Sequence, residues 1–144
     1  MVDIIWGDVA VDDRGSVRFV NDFDFKDVKR FYQVSNHERG FIRAWHGHIR
    51  EGKYVYVAKG SIILGVSPID KDAGSLVKDR TKKLFLSATK PRIVYIPPGN
   101  ANGFKTLEED TIVMFYSTST LEESMNDDIR YDWNAVNIWD GDYR

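Results

Sequence analysis

The sequence predicts an all-β protein, a single-domain barrel of the jelly-roll type. Short runs rich in β-branched and aromatic residues are separated by Gly, Asp, Asn and Pro, and helical periodicity is scarce. The 144 residues, of which 42% are hydrophobic, suit one domain with one core. Many short strands at close spacing are typical of sandwiches and barrels, and a jelly-roll closure protects the sheet edges. We therefore expect residues 1–144 to form one barrel.

Eight segments have the composition of β-strands. They are residues 16–20, 28–34, 41–45, 54–58, 61–66, 84–87, 92–96 and 111–117. Because Lys59-Gly60 is a typical tight turn, we expect the fourth and fifth strands to form a hairpin. Segments 71–83 and 119–128 are expected as loops, the second with a helical turn at Leu121–Met125. The aromatic tail, 139–144, is expected to pack against the barrel or a partner subunit.

The composition excludes several classes of function. The net charge is −2 and the 20 basic residues are scattered, so we expect no binding of nucleic acid or of a membrane surface. There is no cysteine, which excludes disulfides and thiol chemistry. The N-terminal segment carries Asp3 and Asp8 but no basic region or long apolar run, which argues against a signal peptide or a membrane span. We expect a cytoplasmic protein.

The most informative region lies between two glycines, Gly40 and Gly60. Five residues separate Gly40 from His46, and one separates His46 from His48. Four residues then precede Lys53, and six more precede Gly60. This spacing reproduces the first motif of the cupin proteins, in which the position of Lys53 is normally a metal-binding glutamate.

The second cupin motif matches residues 97–102, where Asn102 stands in place of the third histidine ligand. The site would therefore offer two histidines, one amide and one lysine. A first-row transition metal needs about three or four N, O or S ligands, and a protonated lysine repels a cation. We expect no bound metal.

The strand that carries the histidines also carries Arg43 and Trp45. Because side chains alternate along a strand, His46 and His48 are expected on one face, and Arg43 and Trp45 on the other. Lys53 and Arg43 are expected to supply the positive charge that a metal would have supplied, directed at an anionic ligand or transition state.

Taken in order, these motifs resemble those of cupin-fold isomerases of deoxysugar nucleotides, chiefly the dTDP-4-dehydrorhamnose 3,5-epimerase family. The resemblance covers most of the chain. The matching segments, with the family pattern in parentheses, are residues 13–15 (DxRG), 33–35 (QVN), 42–46 (LRGLH), 52–55 (GKLV), 96–104 (IPxGxAHGF), and 129–132 with 138–139 (IRWDD…WP). The resemblance implies a homodimer whose substrate is a nucleotide-linked 4-keto-6-deoxy sugar of surface polysaccharide biosynthesis.

The resemblance also implies roles for individual residues. His46 would be the base that removes a proton from the carbon next to the ketone. Lys53 and Arg43 would hold the enolate oxygen and the phosphates, and Arg14 would hold the diphosphate, across a dimer interface. The remaining substrate-binding candidates are Gln33, His48 and Asn102. No cofactor is implied, because the ketone of the substrate is itself the electron sink.

The sequence departs from the family at two catalytic positions. Direct alignment places Phe115 where the family has its catalytic tyrosine, and the neighbouring Tyr116 is on the other strand face unless a bulge redirects it. Tyr116 is our candidate for the catalytic acid. The family also has a C-terminal aspartate that orients the histidine, and Asp140 or Asp142 is the candidate replacement.

Two alternatives remain open. Residues 30–60 also match the spacing of the sugar-nucleotide 3,4-ketoisomerases, in which a tyrosine and the second histidine, here Tyr32 and His48, would move the protons. The third hypothesis is a non-catalytic module that binds a sugar nucleotide. We expect an epimerase because the C-terminal third resembles the epimerases more closely.

Overall fold

The structure is a computed structural model that describes residues 1–141. Within this range the chain is mostly strand, with one short α-helix, α1 (Leu121–Met125), and one 3-10 turn (Lys78–Arg80). The strands are β1 (Asp3–Trp6), β2 (Asp8–Asp12), β3 (Gly15–Phe19), β4 (Arg30–Ser35), β5 (Ile42–His48), β6 (Lys53–Lys59), β7 (Ser61–Asp70), β8 (Ser75–Leu76), β9 (Lys82–Ser87), β10 (Arg92–Ile96), β11 (Asn100–Thr106), β12 (Ile112–Ser117) and β13 (Ile129–Arg130). The all-β prediction is confirmed, and so is the helical turn at α1.

Two antiparallel sheets enclose the core. The first sheet has the order β1-β10-β6-β12-β4. The second has the order β13-β5-β11-β7-β8, with β9 also paired to β7. Strands β2 and β3 form a separate hairpin. No helix among residues 1–141 combines the length and hydropathy that crossing a membrane requires.

All eight predicted strands are present, and β10 has the predicted bounds. Strands β1, β2, β8, β11 and β13 were not predicted. The most consequential of these is β11, whose sequence NANGFKT is poor in β-branched residues. It is a strand because it hydrogen-bonds to β5 on one side and to β7 on the other. Tertiary pairing therefore overrides the local preference of this segment.

The predicted hairpin at Lys59-Gly60 is wrong. Strand β6 pairs with β10 and β12 in the first sheet, whereas β7 pairs with β11 and β9 in the second. The chain therefore crosses from one sheet to the other at Gly60. Gly60 has φ +81°, and a Cβ there would collide with the side chain of Thr111. The sequence signals a turn but does not say which strands pair.

The main apolar core lies between the two sheets. Its fully buried members include Val55, Ile62, Leu64, Val94 and Val113. Burial of each such side chain contributes about 1.5–3 kcal/mol relative to exposure. Packing of this core between the sheets holds the strands that carry the polar residues described below in fixed register.

A second apolar cluster covers the other face of β5, where the C-terminal segment folds back over the second sheet. The rings of Trp45 and Trp139 are both buried, with centroids 5.1 Å apart. The indole N–H of Trp45 donates to the carbonyls of Trp133 and Val136, each at 3.2 Å. The predicted packing of the tail against the barrel is confirmed for Trp139 and Asp140, whose carbonyls accept hydrogen bonds from Lys105 and Lys83. Residues 142–144 lie outside the described part of the chain.

Candidate active site

A cavity of about 280 Å³ lies between the two sheets, at the end where α1 and β13 cross the barrel. Its wall combines aromatic and apolar side chains with several cations and two imidazoles. The lining residues are Arg30, Tyr32, Val34, Arg43, His46, His48, Lys53, Asn102, Phe104, Phe115, Ser124, Met125, Asp128 and Arg130. The structure therefore brings together five of the residues predicted for the site, namely Arg43, His46, His48, Lys53 and Asn102.

Arg43 lines the same cavity as His46, although strict alternation predicts opposite faces. The reason is an irregularity in the pairing of β5 with β11. His46 pairs with Asn102 and Arg43 pairs with Phe104, so three residue steps on β5 match two on β11. Such a bulge returns the next side chain to the same face. The prediction that Arg43 faces away from His46 is wrong, whereas Trp45 does face away, into the outer cluster.

His46 is half-buried and sits among cations. Burial, followed by the charges of Arg130 and Lys53, lowers the pKa of His46 to about 4, and Asp128 partly opposes this effect. The imidazole is therefore neutral at pH 7. A neutral imidazole beside fixed positive charge is suited to accept a proton from a substrate whose own charge becomes more negative.

Two charged residues that act on His46 come from β13 and from the residue just before it. Arg130 pairs with His46 across the β13–β5 ladder, and its Nε is 2.9 Å from an Asp128 carboxylate oxygen. Asp128 lines the cavity, which the sequence did not reveal. Asp140, the predicted partner of His46, is exposed, and its carbonyl accepts a hydrogen bond from Lys83 instead. That prediction is wrong for Asp140, and Asp142 lies outside the described residues.

His48 is 5% exposed and its ring has a fixed orientation. Its Nδ1 lies 2.6 Å from the main-chain carbonyl oxygen of Asp127. Because a carbonyl can only accept, Nδ1 must carry the proton. Burial, followed by the charge of Lys53, lowers the pKa of His48. Nε2 is buried and has no hydrogen-bond partner within residues 1–141.

Lys53 is 7% exposed and lies over two aromatic rings. Its Nζ is 5.7 Å from the ring centroid of Tyr32 and 5.6 Å from that of Phe115. The two rings stack with centroids 5.2 Å apart. Asn102 is also buried, and its amide group reaches the main-chain carbonyl of His46 at 3.5 Å. The aromatic pair thus holds a buried cation at the floor of the cavity.

The proposed acid Tyr116 does not line the cavity. It lies on the outer face of β12, where its ring contacts Phe23, Phe25 and Phe31. Burial in this outer cluster raises its pKa. Strand β12 pairs regularly with β4 through this region, so no bulge turns Tyr116 inward. The assignment of Tyr116 as the acid in this cavity is therefore corrected, and Phe115 occupies the position that faces inward.

Two further substrate-binding candidates also lie outside the cavity. Arg14 is in the turn between β2 and β3, its side chain is 86% exposed, and it forms an ion pair with Asp12 at 2.6 Å. Gln33 is exposed because it alternates along β4 with Tyr32 and Val34, which face inward. Neither residue reaches the cavity of its own chain. This corrects the prediction for Gln33, whereas the role of Arg14, which was expected across a dimer interface, stays a prediction.

Three charged lining residues were missed, namely Arg30, Asp128 and Arg130. Arg30 stands at the start of β4 with its guanidinium 4.9 Å from the Tyr32 ring centroid. The alternation of β4 could have placed Arg30 with Tyr32, but β13 is only two residues long and gives no periodic signal. With Arg43 and Lys53, these arginines make the cavity cationic and suited to phosphate groups.

The residues at the cupin metal positions do not fit a transition metal. Lys53 would place a cation where metal-binding cupins have an anionic ligand, and Asn102 offers a weak amide oxygen. Among residues 1–141 there is no group of three or more His, Asp and Glu side chains arranged to hold a metal ion. The chemistry of the site must therefore be derived from its own side chains.

Comparison with known proteins identifies the family. The family model described as dTDP-4-dehydrorhamnose 3,5-epimerase matches residues 3–141. The chain is 24% identical over 139 residues to the spore coat polysaccharide biosynthesis protein SpsL of Bacillus subtilis, covering 92% of this chain and 91% of SpsL.

Two solved structures have the same fold. A 3'-monoepimerase from Streptomyces bikiniensis in complex with dTDP-quinovose has a TM-score of 0.77 at 17% identity, covering 99% of this chain and 77% of its own. A 3,4-ketoisomerase from Helicobacter canadensis has a TM-score of 0.68 at 18% identity, covering 92% of each chain. The resemblance, the cupin fold and the enzyme class predicted from the sequence are confirmed. The chain belongs to the dTDP-4-dehydrorhamnose 3,5-epimerase family and is an isomerase.

Proposed function

We propose that this enzyme inverts one carbon, C3 or C5, next to the C4 ketone of a nucleotide-linked 4-keto-6-deoxy sugar. The observation that carries the proposal is a neutral imidazole, His46, in a cationic cavity that contains Lys53 and Arg43. The inversion of a single centre is supported by Phe115, which cannot donate a proton from the position of the family's catalytic tyrosine and leaves Tyr32 as the one tyrosine that lines the cavity among residues 1–141.

The proposed reaction uses only side chains and the substrate. His46 removes the proton from the carbon next to the ketone, and the electron pair of the C–H bond forms the enolate. Lys53 stabilises the enolate oxygen, because a buried cation is most effective where charge develops. Tyr32, the one tyrosine that lines the cavity among residues 1–141, returns a proton to the opposite face. The ketone at C4 is restored, so no cofactor is needed.

The same cavity accounts for binding of the nucleotide sugar. Guanidinium groups bind phosphate through paired hydrogen bonds, and Arg43, Arg30 and Arg130 lie at the cavity wall. Asn102 and His48 are placed to contact the sugar. SpsL is named for spore coat polysaccharide biosynthesis, and we propose that this enzyme also supplies a deoxysugar for a surface polysaccharide.

The test is hydrogen exchange in D₂O with a thymidine-diphosphate 4-keto-6-deoxyhexose, followed by NMR of the sugar. We expect deuterium at one of C3 and C5, inversion at that carbon, and a ketone that stays at C4. Deuterium at both carbons with both inverted would refute the single-centre proposal. No exchange at either carbon, across several nucleotide bases, would refute the epimerase proposal as a whole.

A 3,4-ketoisomerase is the second candidate, and a specific observation favours it. Tyr32 and His48, the pair expected to move protons in that reaction, both line the cavity, and Nε2 of His48 has no partner within residues 1–141. In the NMR experiment this reaction would move the carbonyl from C4 to C3, which distinguishes it from epimerisation. A non-catalytic module would give neither product but would raise the melting temperature in the presence of the nucleotide sugar.

We further propose a cytoplasmic homodimer, in which the β2–β3 hairpin contributes Arg14 to the partner's substrate. The hairpin leaves Val11 and Val17 74% and 64% exposed, so its apolar side chains are not covered by its own chain. Light scattering on the purified protein tests the dimer, and a monomer at micromolar concentration would refute it. Arg14→Ala should raise KM for the nucleotide sugar more than it lowers kcat.

A further inference from the structure

A carboxylate that neither the sequence motifs nor the proposed reaction uses is buried behind the cavity wall. Glu51 lies in the turn between β5 and β6 and is 2% exposed. A buried carboxylate is costly unless charges and hydrogen bonds compensate it. The groups that contact the Glu51 carboxylate therefore indicate its role.

Glu51 contacts groups from four elements around the cavity. The hydroxyl of Ser124, on α1, donates to Oε1 at 2.7 Å, and the hydroxyl of Ser117, on β12, donates to Oε2. Arg30, on β4, approaches Oε2 at 3.7 Å. His48, on β5, places Nδ1 3.4 Å from Oε1. Glu51 thus joins His48 to Arg30, and both of these residues line the cavity.

The carboxylate of Asp127 fixes the turn that carries Glu51. It accepts hydrogen bonds from the main-chain amides of Ile49, Arg50 and Glu51, at 2.7, 2.9 and 2.9 Å. The carbonyl of the same Asp127 accepts the proton on Nδ1 of His48. One residue therefore anchors both the turn and the imidazole, so the distance from Glu51 to His48 is set by the fold.

We infer that Glu51 is a positioning residue that, together with the Asp127 carbonyl, holds His48 as the Nδ1–H tautomer and stabilises its protonated ring. Nε2 is then a proton acceptor at the cavity, beside His46. This inference rests on the proposed function, because it assigns Glu51 and His48 to the same proton-transfer chemistry. In the epimerase reaction His46 is the base, and Nε2 of His48 accepts a hydrogen bond from the sugar. In the 3,4-ketoisomerase reaction Nε2 takes a proton from a substrate carbon, and the bonding pair passes to the enolate. When Nε2 returns the proton, His48 and Glu51 regain their starting states.

The charges around His48 determine the sign of the effect. Burial and Lys53 lower the pKa of His48, whereas Glu51 and the Asp127 carbonyl raise it. Removing the negative charge of Glu51 must therefore lower the pKa of His48 further. The neutral ring then becomes more abundant at low pH, but it is a weaker base, so proton removal slows.

NMR tests the positioning without a substrate. The chain has three histidines, so a ¹⁵N-labelled sample gives a spectrum in which each ring can be assigned. We expect His48 of the natural protein to be the Nδ1–H tautomer, and Glu51→Gln to lower the pKa of this ring. The control Glu122→Gln removes an exposed carboxylate of α1 and should leave His48 unchanged. An Nε2–H tautomer in the natural protein refutes the inference, even if Glu51→Gln does not fold.

Kinetics test whether the positioned ring transfers protons. Glu51→Gln should lower kcat roughly tenfold, change KM little, and lower the pKa of His48 measured by NMR in the same variant. Ser117→Ala removes one hydrogen bond to Glu51 but keeps its charge, so it should lower the melting temperature while leaving kcat and the pKa of His48 unchanged. If Glu51→Gln behaves like Ser117→Ala, Glu51 is only structural. That result would leave the proposed function intact, whereas failure of the natural enzyme to exchange any substrate proton would refute the proposed function itself.

Discussion

His46 and His48 are two residues apart on one strand and line one cavity, yet their surroundings differ. His48 is held by a main-chain carbonyl and a buried carboxylate, while the pKa of His46 is set mainly by burial and by the charges of Arg130 and Lys53. Hydrogen bonding thus fixes the ring of His48, whereas burial and nearby charges set the pKa of His46. The comparison shows that sequence spacing brings catalytic groups together, whereas their protonation behaviour depends on partners far away in the chain.

The largest effect on activity is expected when each of the two histidines is replaced by asparagine. His46→Asn should reduce solvent exchange by about 10²- to 10⁴-fold, because the proposed base is removed. His37→Asn is the matched control, since His37 is exposed in a loop, and it should retain the natural rate. If His48→Asn abolishes exchange while His46→Asn keeps it, the roles of the two imidazoles must be exchanged and the ketoisomerase becomes the better proposal.

Removing the charge of Lys53, which lowers the pKa of both histidines, should have the next largest effect. Lys53→Met keeps the stem of the side chain but removes the charge, and kcat should fall by about 10²- to 10³-fold. Lys59→Met changes the exposed lysine at the other end of β6 and should have no effect on kcat. A loss confined to KM in Lys53→Met would mean that this lysine binds the substrate without stabilising the enolate.

A pH profile sharpens the difference between the imidazoles. The pKa of His46 is lowered to about 4, so this base is neutral and active above that pH and becomes protonated as the pH falls through it. We therefore expect kcat/KM to lose about tenfold per unit below pH 4, measured over the range in which circular dichroism shows a folded protein. An acid limb near pH 6.5, the ordinary value for histidine, would contradict the electrostatic environment described for His46.

The smallest effects are expected from Tyr116 and from metal removal. Tyr116→Phe should change the exchange rate less than about twofold, because the hydroxyl is outside the cavity, whereas Tyr32→Phe should lower it at least tenfold. Equal losses in the two variants would restore Tyr116 as a catalytic candidate.

Dialysis against EDTA should leave the activity unchanged, and recovery of lost activity by zinc, iron or manganese would refute the metal-free proposal.

The sequence predicted the part of the site that lies within short motifs. His46, His48, Lys53 and Asn102 were found because their distances from glycine and proline turns resemble those of the two cupin motifs. Arg43 was expected in the site but on the wrong face. The error arose because the bulge is a property of the pairing between β5 and β11, which the sequence of β5 does not contain.

The remaining errors have a similar origin. Asp128 and Arg130 line the cavity because β13 pairs with β5, a strand that is far away in the sequence. Asp140 was proposed from the family's C-terminal aspartate, yet the tail packs on the opposite face of the second sheet. Long-range pairing of short segments is not encoded in local composition, and it decides which charged residues reach the cavity.

The contact between the tilted rings of Trp45 and Trp139 allows the docking of the tail to be followed by fluorescence. Both indoles are buried on the side of β5 away from the cavity, so they do not line the substrate site. Release of the C-terminal segment would expose both rings to water and shift their fluorescence to longer wavelength. Trp45 is also next to His46 in β5, so undocking should loosen the strand that carries the base. Intrinsic fluorescence therefore provides a stopped-flow signal for the outer support of the active site, separate from any signal of ligand binding.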